Sequence, residues 1–356
     1  MLRYAAAVAA CVAVTALLPS DISAQASGEA AKPSFSATDY GVSAWSEAVV
    51  SVADLDESTS WLVEDGNWRV VARGDIDRVE LKYWKLPPSV SGAFLKVCAA
   101  EAESGCIRFM RFDGADNQRP IRLAARPWDT GGIFSIMLRS DDTQALFDAA
   151  IARGWWAESE PYHFSFGGSD LVNVVVRGPH GVNYALYERE APPFTAFPVG
   201  PLSQGFNTMR MVKDQPVSLA WYRDLLGLKV LFDAPFTDPE PRSNNFSVPA
   251  NLATELVRRA AVVQPELPGE DGRMELMEFE GFEGRDYSRF TSPPNLGIIS
   301  VRYPVAEFEA YRTALKARHL APEYSASNVP VGGLGVVELM ALRDPDGNLT
   351  EFYNAP

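Results

Sequence analysis

Two glutamates stand on strands that are otherwise apolar. Glu351 follows the polar turn Asp344-Pro345-Asp346-Gly347-Asn348 in "ALRDPDGNLTEFYNAP", with Thr350 and Phe352 pointing the other way. Glu275 alternates with Met274 and Leu276 in "GRMELMEF", and alternation puts neighbours on opposite faces of a strand. A carboxylate held this way can ligate a metal, transfer a proton as a general acid or base, or be neutralised by a nearby Arg or Tyr. Oxygen ligands alone suit Mg²⁺, Ca²⁺ or Mn²⁺ better than Zn²⁺ or Fe²⁺.

The remaining chemistry-bearing residues are sparse. The three histidines are scattered: His163 in the aromatic stretch "WWAESEPYHFSFGG", His180 in a turn read as solvent exposed, and His319 at a helix end, where a cation favours the dipole. His163 is a candidate general base if it faces a cavity. Trp155, Trp156 and their aromatic neighbours read as core packing before they read as a stacking platform. Cys98 and Cys106 flank a Gly-bearing turn in "LKVCAAEAESGCIRF", a hairpin whose thiols can form a disulfide in an oxidising compartment or stay free. Cys and His together are too few for a zinc site. No nucleophile elbow, phosphate loop or dinucleotide fingerprint occurs.

These residues sit in a chain with a recognisable organisation. Arg3, the apolar run to Leu18 and the small residues around Ala24 read as a signal peptide over 1–24, implying a periplasmic or secreted protein, with Val8-Ala9-Ala10-Cys11 as a competing lipoprotein box. A flexible segment is expected over 25–40. The remaining chain of about 330 residues predicts two domains, and its 47% hydrophobic residues can fill their cores. A net charge of −14 excludes nucleic acid and anionic membranes as natural partners, and no membrane span is expected.

Self-similarity divides the chain further. "VADLDESTSWLVEDGNWRVV" from Val52 parallels "VKDQPVSLAWYRDLLGLKVL" from Val212, and "GIFSIMLRSDDTQALFDAAIARG" from Gly132 parallels "GIISVRYPVAEFEAYRTALKARH" from Gly297. "NVVVRGPHGVNYALYE" likewise parallels "ELMALRDPDGNLTEFYN". The spacing predicts an α+β protein of four βαβββ modules, with helices near Glu57 to Glu64, Thr143 to Arg153, Pro216 to Leu226 and Ala306 to Ala317. The modules form two units, 41–190 and 203–356, joined by the Pro-rich linker 191–202.

The signature "DPDGNLTEFYN", the passage "WYRDLLGLKV" and the paired βαβββ modules resemble the vicinal oxygen chelate superfamily of glyoxalases, extradiol dioxygenases and bleomycin-binding proteins. The resemblance implies that each pair of modules curls into a cup whose first and fourth strands carry metal ligands. Carried onto the second unit, those positions are Asn207, Glu275, Gly297 or Ile298, and Glu351. Carried onto the first they are Glu47, Arg108, a third near Ile133 to Ser135, and Ala185, with Glu47 and Arg108 expected to pair with each other or Arg108 with an anionic ligand.

The resemblance implies a lyase, isomerase or dioxygenase-type reaction on a small oxygenated molecule in the second cup. Asn207, Glu275 and Glu351 would hold a divalent Mn, Mg, Ca, Zn or Fe, or Glu275 and Glu351 would share a proton without any metal. The resemblance equally implies a metal-free binding protein of the bleomycin-resistance type, and it accommodates a homodimer. A structural role in an envelope complex is the third reading.

Overall fold

The first strand of each of three modules runs into an aspartate that starts the following helix. Asp54, Asp142 and Asp214 accept hydrogen bonds from the backbone N–H groups of Glu57, Ala145 and Val217 at 2.9, 2.9 and 3.0 Å, satisfying donors that a helix start leaves free. The computed structural model describes residues 35–116, 118–122 and 125–355. The leader 1–24 lies outside the described residues. The expected flexible segment is corrected at its end, because Phe35 is buried and stacks on Tyr311, and Ala37 donates to the Gly227 carbonyl at 2.9 Å.

Module one comprises β1 (Glu47–Ser51), α1 (Leu55–Glu64), β2 (Arg69–Asp75), α2 (Arg78–Tyr83), β3 (Ser91–Cys98) and β4 (Cys106–Asp113). Module two comprises β5 (Ile133–Ser140), α3 (Thr143–Ala152), β6 (Trp156–Ala157), β7 (Tyr162–Phe166), β8 (Ser169–Arg177) and β9 (Asn183–Ala191). Module three comprises β10 (Leu202–Met211), α4 (Gln215–Ala220, extended by a π-turn over Trp221–Leu225), β11 (Lys229–Phe236), β12 (Arg258–Gln264) and β13 (Arg273–Phe279). Module four comprises β14 (Gly297–Val305), α5 (Phe308–Ala317), β15 (Tyr324–Val331), β16 (Gly335–Arg343) and β17 (Leu349–Asn354). The four expected helices form; α2, preceded by Asp77 as its cap, was not expected.

The strand ladder pairs modules differently from their order in sequence. One sheet runs β15-β16-β17-β14-β1-β4-β3-β2, joining module four to module one, and the other runs β11-β12-β13-β10-β5-β9-β8-β6, joining module three to module two, with β7 on β8. The expectation that 41–190 and 203–356 each curl into a cup of their own is therefore corrected. Antiparallel seams hold each sheet at its centre, Val49 opposite Ser300 in one and Met209 opposite Ser135 in the other. The sequence units remain tied on the helix side: the turn after Arg343 docks on module three, where Tyr222 and Ser218 donate to Asp344 and Asp346, both at 2.6 Å.

Burial explains this layering. The faces that carry the helices share one core containing Trp45, Trp61, Tyr184, Leu276, Tyr311 and Phe352, while each concave face keeps a separate cluster. The two sheets meet closely at Gly105 and Gly205, where the Gly205 N–H donates to the Gly105 carbonyl at 2.9 Å. A Cβ on Gly105 would lie 2.3 Å from the Gly205 oxygen, so only glycine permits the approach. Cys98 and Cys106 are disulfide-bonded across the β3–β4 turn. Trp155 joins the shared core as expected, but Trp156 is exposed, and His180 is mostly covered and lies 3.4 Å from Glu57 rather than standing free in solvent.

Candidate functional site

The first concave face is filled by charge that cancels. Arg302 on β14 stands beside Glu351 on the neighbouring β17 and lies 3.0 Å from it, 2.9 Å from Glu47 and 3.4 Å from Glu80, all four residues being 0% exposed. Lys96 lies 3.0 Å from Glu47, and Arg108 donates to Glu80 at 2.9 Å and to the Gly332 carbonyl at 2.6 Å. Tyr83 donates to Glu351 at 2.9 Å, and the Ser300 hydroxyl donates to the other oxygen of the same carboxylate. Three carboxylates thus meet three cations. Glu80 and Tyr83 arrive on α2, which packs into this face among Leu81, Trp84, Tyr324 and Leu339.

The electrostatics agree with the contacts. Burial pushes the Glu47 carboxyl up, but Lys96, Arg302 and Arg108 together leave it below the usual carboxylate range. Burial raises the Tyr83 hydroxyl, and the Glu351 charge raises it further. Glu351 is therefore corrected from metal ligand or proton donor to a member of a neutralised ionic core. The expected Glu47–Arg108 pair is also corrected: Glu47 takes Lys96 and Arg302, and Arg108 takes Glu80.

The second concave face is different. Glu275 projects from β13 between its neighbours Met209 on β10 and Val262 on β12, and the surrounding wall includes Met137, Met209, Met277 and Phe246. Phe246, Val248 and Leu256, from the segment between β11 and β12, cover this face. Glu275 keeps some solvent contact, yet burial alone pushes its carboxyl up to about 7. No described residue offers it a hydrogen bond or an ion pair. Its charge is felt by the Tyr187 hydroxyl on β9, itself raised first by burial.

Asn207, the other ligand expected on this face, is 4% exposed and turns its Oδ1 to the Thr208 N–H at 2.8 Å. The opposite module contributes Ser135 and Ala185 at the corresponding places. Glu275 and Glu351 lie on different sheets, so the expected site of Asn207, Glu275 and Glu351 does not assemble. His163 is corrected as well: its side chain is 72% exposed on β7, and Nδ1 lies 2.9 Å from Glu190, outside the cup.

The donor sets decide the question of a metal. On the first face the Arg302 guanidinium occupies the centre, and a second cation there would face three arginine and lysine charges with no free carboxylate. On the second face, among the described residues, Glu275 is a single carboxylate without a partner. Among the described residues no three His, Cys, Asp or Glu side chains gather as a cation site. Among the described residues neither cup fits the divalent ion that the resemblance implies.

Arg302, Lys96, Glu80, Tyr83 and Tyr187 were missed from sequence. Arg302 carried the same signal as Glu351, a lone charge in an apolar strand, "GIISVRYPV". Only the register reveals that the two signals are one contact.

Residues 206–352 match the family model of the Glyoxalase/Bleomycin resistance protein/Dioxygenase superfamily. No curated protein matches the sequence. The chain is similar to the structure of glyoxalase I from Zea mays at 16% identity, covering 88% of this chain and 93% of that one with a TM-score of 0.57. A mutant of the same enzyme matches at 17% identity over 89% and 95% of the two chains, also at 0.57. A putative dioxygenase from Bacillus subtilis matches at 12% identity over 88% and 86%, at 0.52. Identities this low establish the fold. Residues 206–352, with their DPDGN turn and closing strand, form a domain of the Glyoxalase/Bleomycin resistance protein/Dioxygenase superfamily.

Proposed function

We propose that this is an exported protein whose second cup, the concave face bearing Glu275, binds a small oxygenated molecule and exchanges a proton with it, as a lyase or isomerase of this superfamily would. The observation that carries the reading is Glu275 itself: an unpaired carboxyl in an apolar wall, pushed to about 7 by burial. A base poised near the working pH is present in its ionised form while still binding a proton tightly enough to remove it from carbon. Among the described residues the first cup has no comparable group.

The test is loss of deuterium-exchangeable α-protons from a panel of 2-oxo acids and 2-hydroxyketones, followed by NMR. Wild type should accelerate exchange of at least one compound, with a rate rising through about pH 7, and Glu275→Gln should lower that rate by roughly 10²- to 10⁴-fold. An accelerated rate that Glu275→Gln leaves unchanged would remove Glu275 from the chemistry.

A second reading, binding without turnover, is favoured by the covering segment with Phe246, Val248 and Leu256 over an apolar wall. It predicts saturable binding with no exchange in either protein.

Export is supported by the leader-like residues 1–24 and by the Cys98–Cys106 bond, which persists in oxidising compartments. Mass spectrometry of protein recovered from outside the cytoplasm should find an N-terminus near Ala24 and both cysteines resistant to alkylation until reduced. An intact Met1 or freely alkylated cysteines in that fraction would contradict it.

A further inference from the structure

The concave face bearing Glu275 has a second chemical end. Arg139, Arg189 and Arg273 follow the alternation that turns Met137, Tyr187 and Glu275 inward on β5, β9 and β13. Glu270 accepts from Arg139 Nε at 2.8 Å and from the same guanidinium's Nη2, and lies 3.6 Å from Arg273 Nη1. Asp271 is engaged by Gln204 at 3.3 Å. Among the described residues no carboxylate lies within ion-pair distance of Arg189, and its Nε is sealed from solvent without an acceptor.

Three guanidiniums therefore face two carboxylates, leaving one positive charge in excess. The crowding is felt at Arg273, whose guanidinium is held below its ordinary value by burial and then by Arg139 and Arg189, against the pull of Glu270 and Asp271. The Phe194 ring lies 4.2 Å from the Arg139 guanidinium and 5.5 Å from that of Arg189, and Phe206 lies 4.8 Å from Arg139. Aromatic faces shield the cluster from water, which strengthens its hold on an anion.

We propose, building on the reading of Glu275 as a proton-transfer group, that the cup's ligand is an organic monocarboxylic acid. Its carboxylate is held by Arg189, with the charge of Arg273 nearby but that guanidinium already engaged by Gln264, Gly269 and Glu270; its apolar body lies along Met137 and Met209, and its oxygenated carbon lies toward Tyr187 and Glu275. A forked guanidinium suits a carboxylate because two parallel N–H groups meet its two oxygens. Arg189 and Tyr187 are two residues apart on one face, about 7 Å along the strand. A compact acid spans that interval, with the charged end kept apart from the carboxyl of Glu275.

Calorimetry with phenylacetate, 4-phenylbutanoate and 2-oxo-4-phenylbutanoate, each beside its neutral alcohol or amide counterpart, tests this on the full mature protein. At least one acid should bind roughly tenfold or more tightly than its neutral counterpart, the effect of one charge-assisted hydrogen-bonded contact. Arg189→Gln should erase that preference while leaving the neutral compound's affinity in place, and Glu275→Gln should preserve it. Should Arg189→Gln fail to fold, Arg189→Lys keeps the charge without the fork and should weaken the acid severalfold and the alcohol not at all.

Equal affinity for acid and neutral counterpart in wild type, or a preference that survives in folded Arg189→Gln, overturns this inference and leaves the reading of Glu275 standing. Absence of saturable binding by every compound overturns this inference, and the exchange assay with Glu275→Gln decides separately on Glu275.

Discussion

Replacing Arg302 by methionine should cost about 3–5 kcal/mol of folding stability, because removing one partner of a buried ion pair leaves the other charge stranded. Here three carboxylates would lose a partner at once: Glu47, Glu80 and Glu351 all lie within 4 Å of this guanidinium and none reaches solvent. Lys96 and Arg108 would still hold Glu47 and Glu80, so Glu351 should suffer most. Glu351→Gln in the Arg302→Met background should therefore recover part of the loss. Denaturant unfolding of the two variants reads both effects; a loss below about 1 kcal/mol for Arg302→Met would mean that the cluster is solvated or rearranged and not a neutralised core. Glu47 adds an acid limb. Its folded value lies below the usual 4.5, so the stability it contributes is complete above about 4.5 and is lost as pH falls through the lowered value.

Glu275→Gln should have the opposite sign. Below about pH 4.5 the wild-type carboxyl is protonated in both states and costs nothing extra. Between 4.5 and about 7 the unfolded chain ionises it while the folded cup does not, so wild-type stability falls steadily across that window. The full rise is equivalent to about 3 kcal/mol, reduced to about 2 by the solvent contact the side chain keeps. Glutamine never ionises, so the variant should be more stable than wild type by about 2 kcal/mol at pH 8 and by almost nothing near pH 4. A variant that differs equally at both pH values would show that Glu275 is not pushed upward. Stability forgone at a single carboxyl is what a proton-transfer site requires, and the same variant is the one expected to lose exchange activity.

The two variants separate the two cups. Both faces began with a glutamate on the fourth strand of a module, Glu351 on β17 and Glu275 on β13. On the first face a cation stands beside the glutamate on the adjacent strand, and α2 brings Glu80 and Tyr83 across to complete the set. On the second face the adjacent positions carry Met209 and Val262, so the carboxyl stays unpaired.

The modular plan was legible along the chain. Periodicity located the helices that begin at Thr143 and near Pro216, the aspartate caps marked where strands hand over to helices, and the alternation in "GRMELMEF" correctly set Glu275 against Met274 and Leu276. These features depend on residues within one turn or one strand of each other. The short α2 escaped because six residues, Arg78 to Tyr83, offer too few turns for a periodic signal.

Which module lies beside which could not be read locally. A duplicated βαβββ pair can close on its neighbour or on its distant copy with the same patterns of burial, and the choice rests on seams such as Val49–Ser300 and Met209–Ser135, between residues far apart in sequence. That choice separated Glu275 from Glu351, gave Glu351 to Arg302, and left Glu275 alone in an apolar cup. Spacing along the strands determined which side chains face inward; long-range pairing decided which of them meet, and a carboxylate's chemistry depends on the company it keeps.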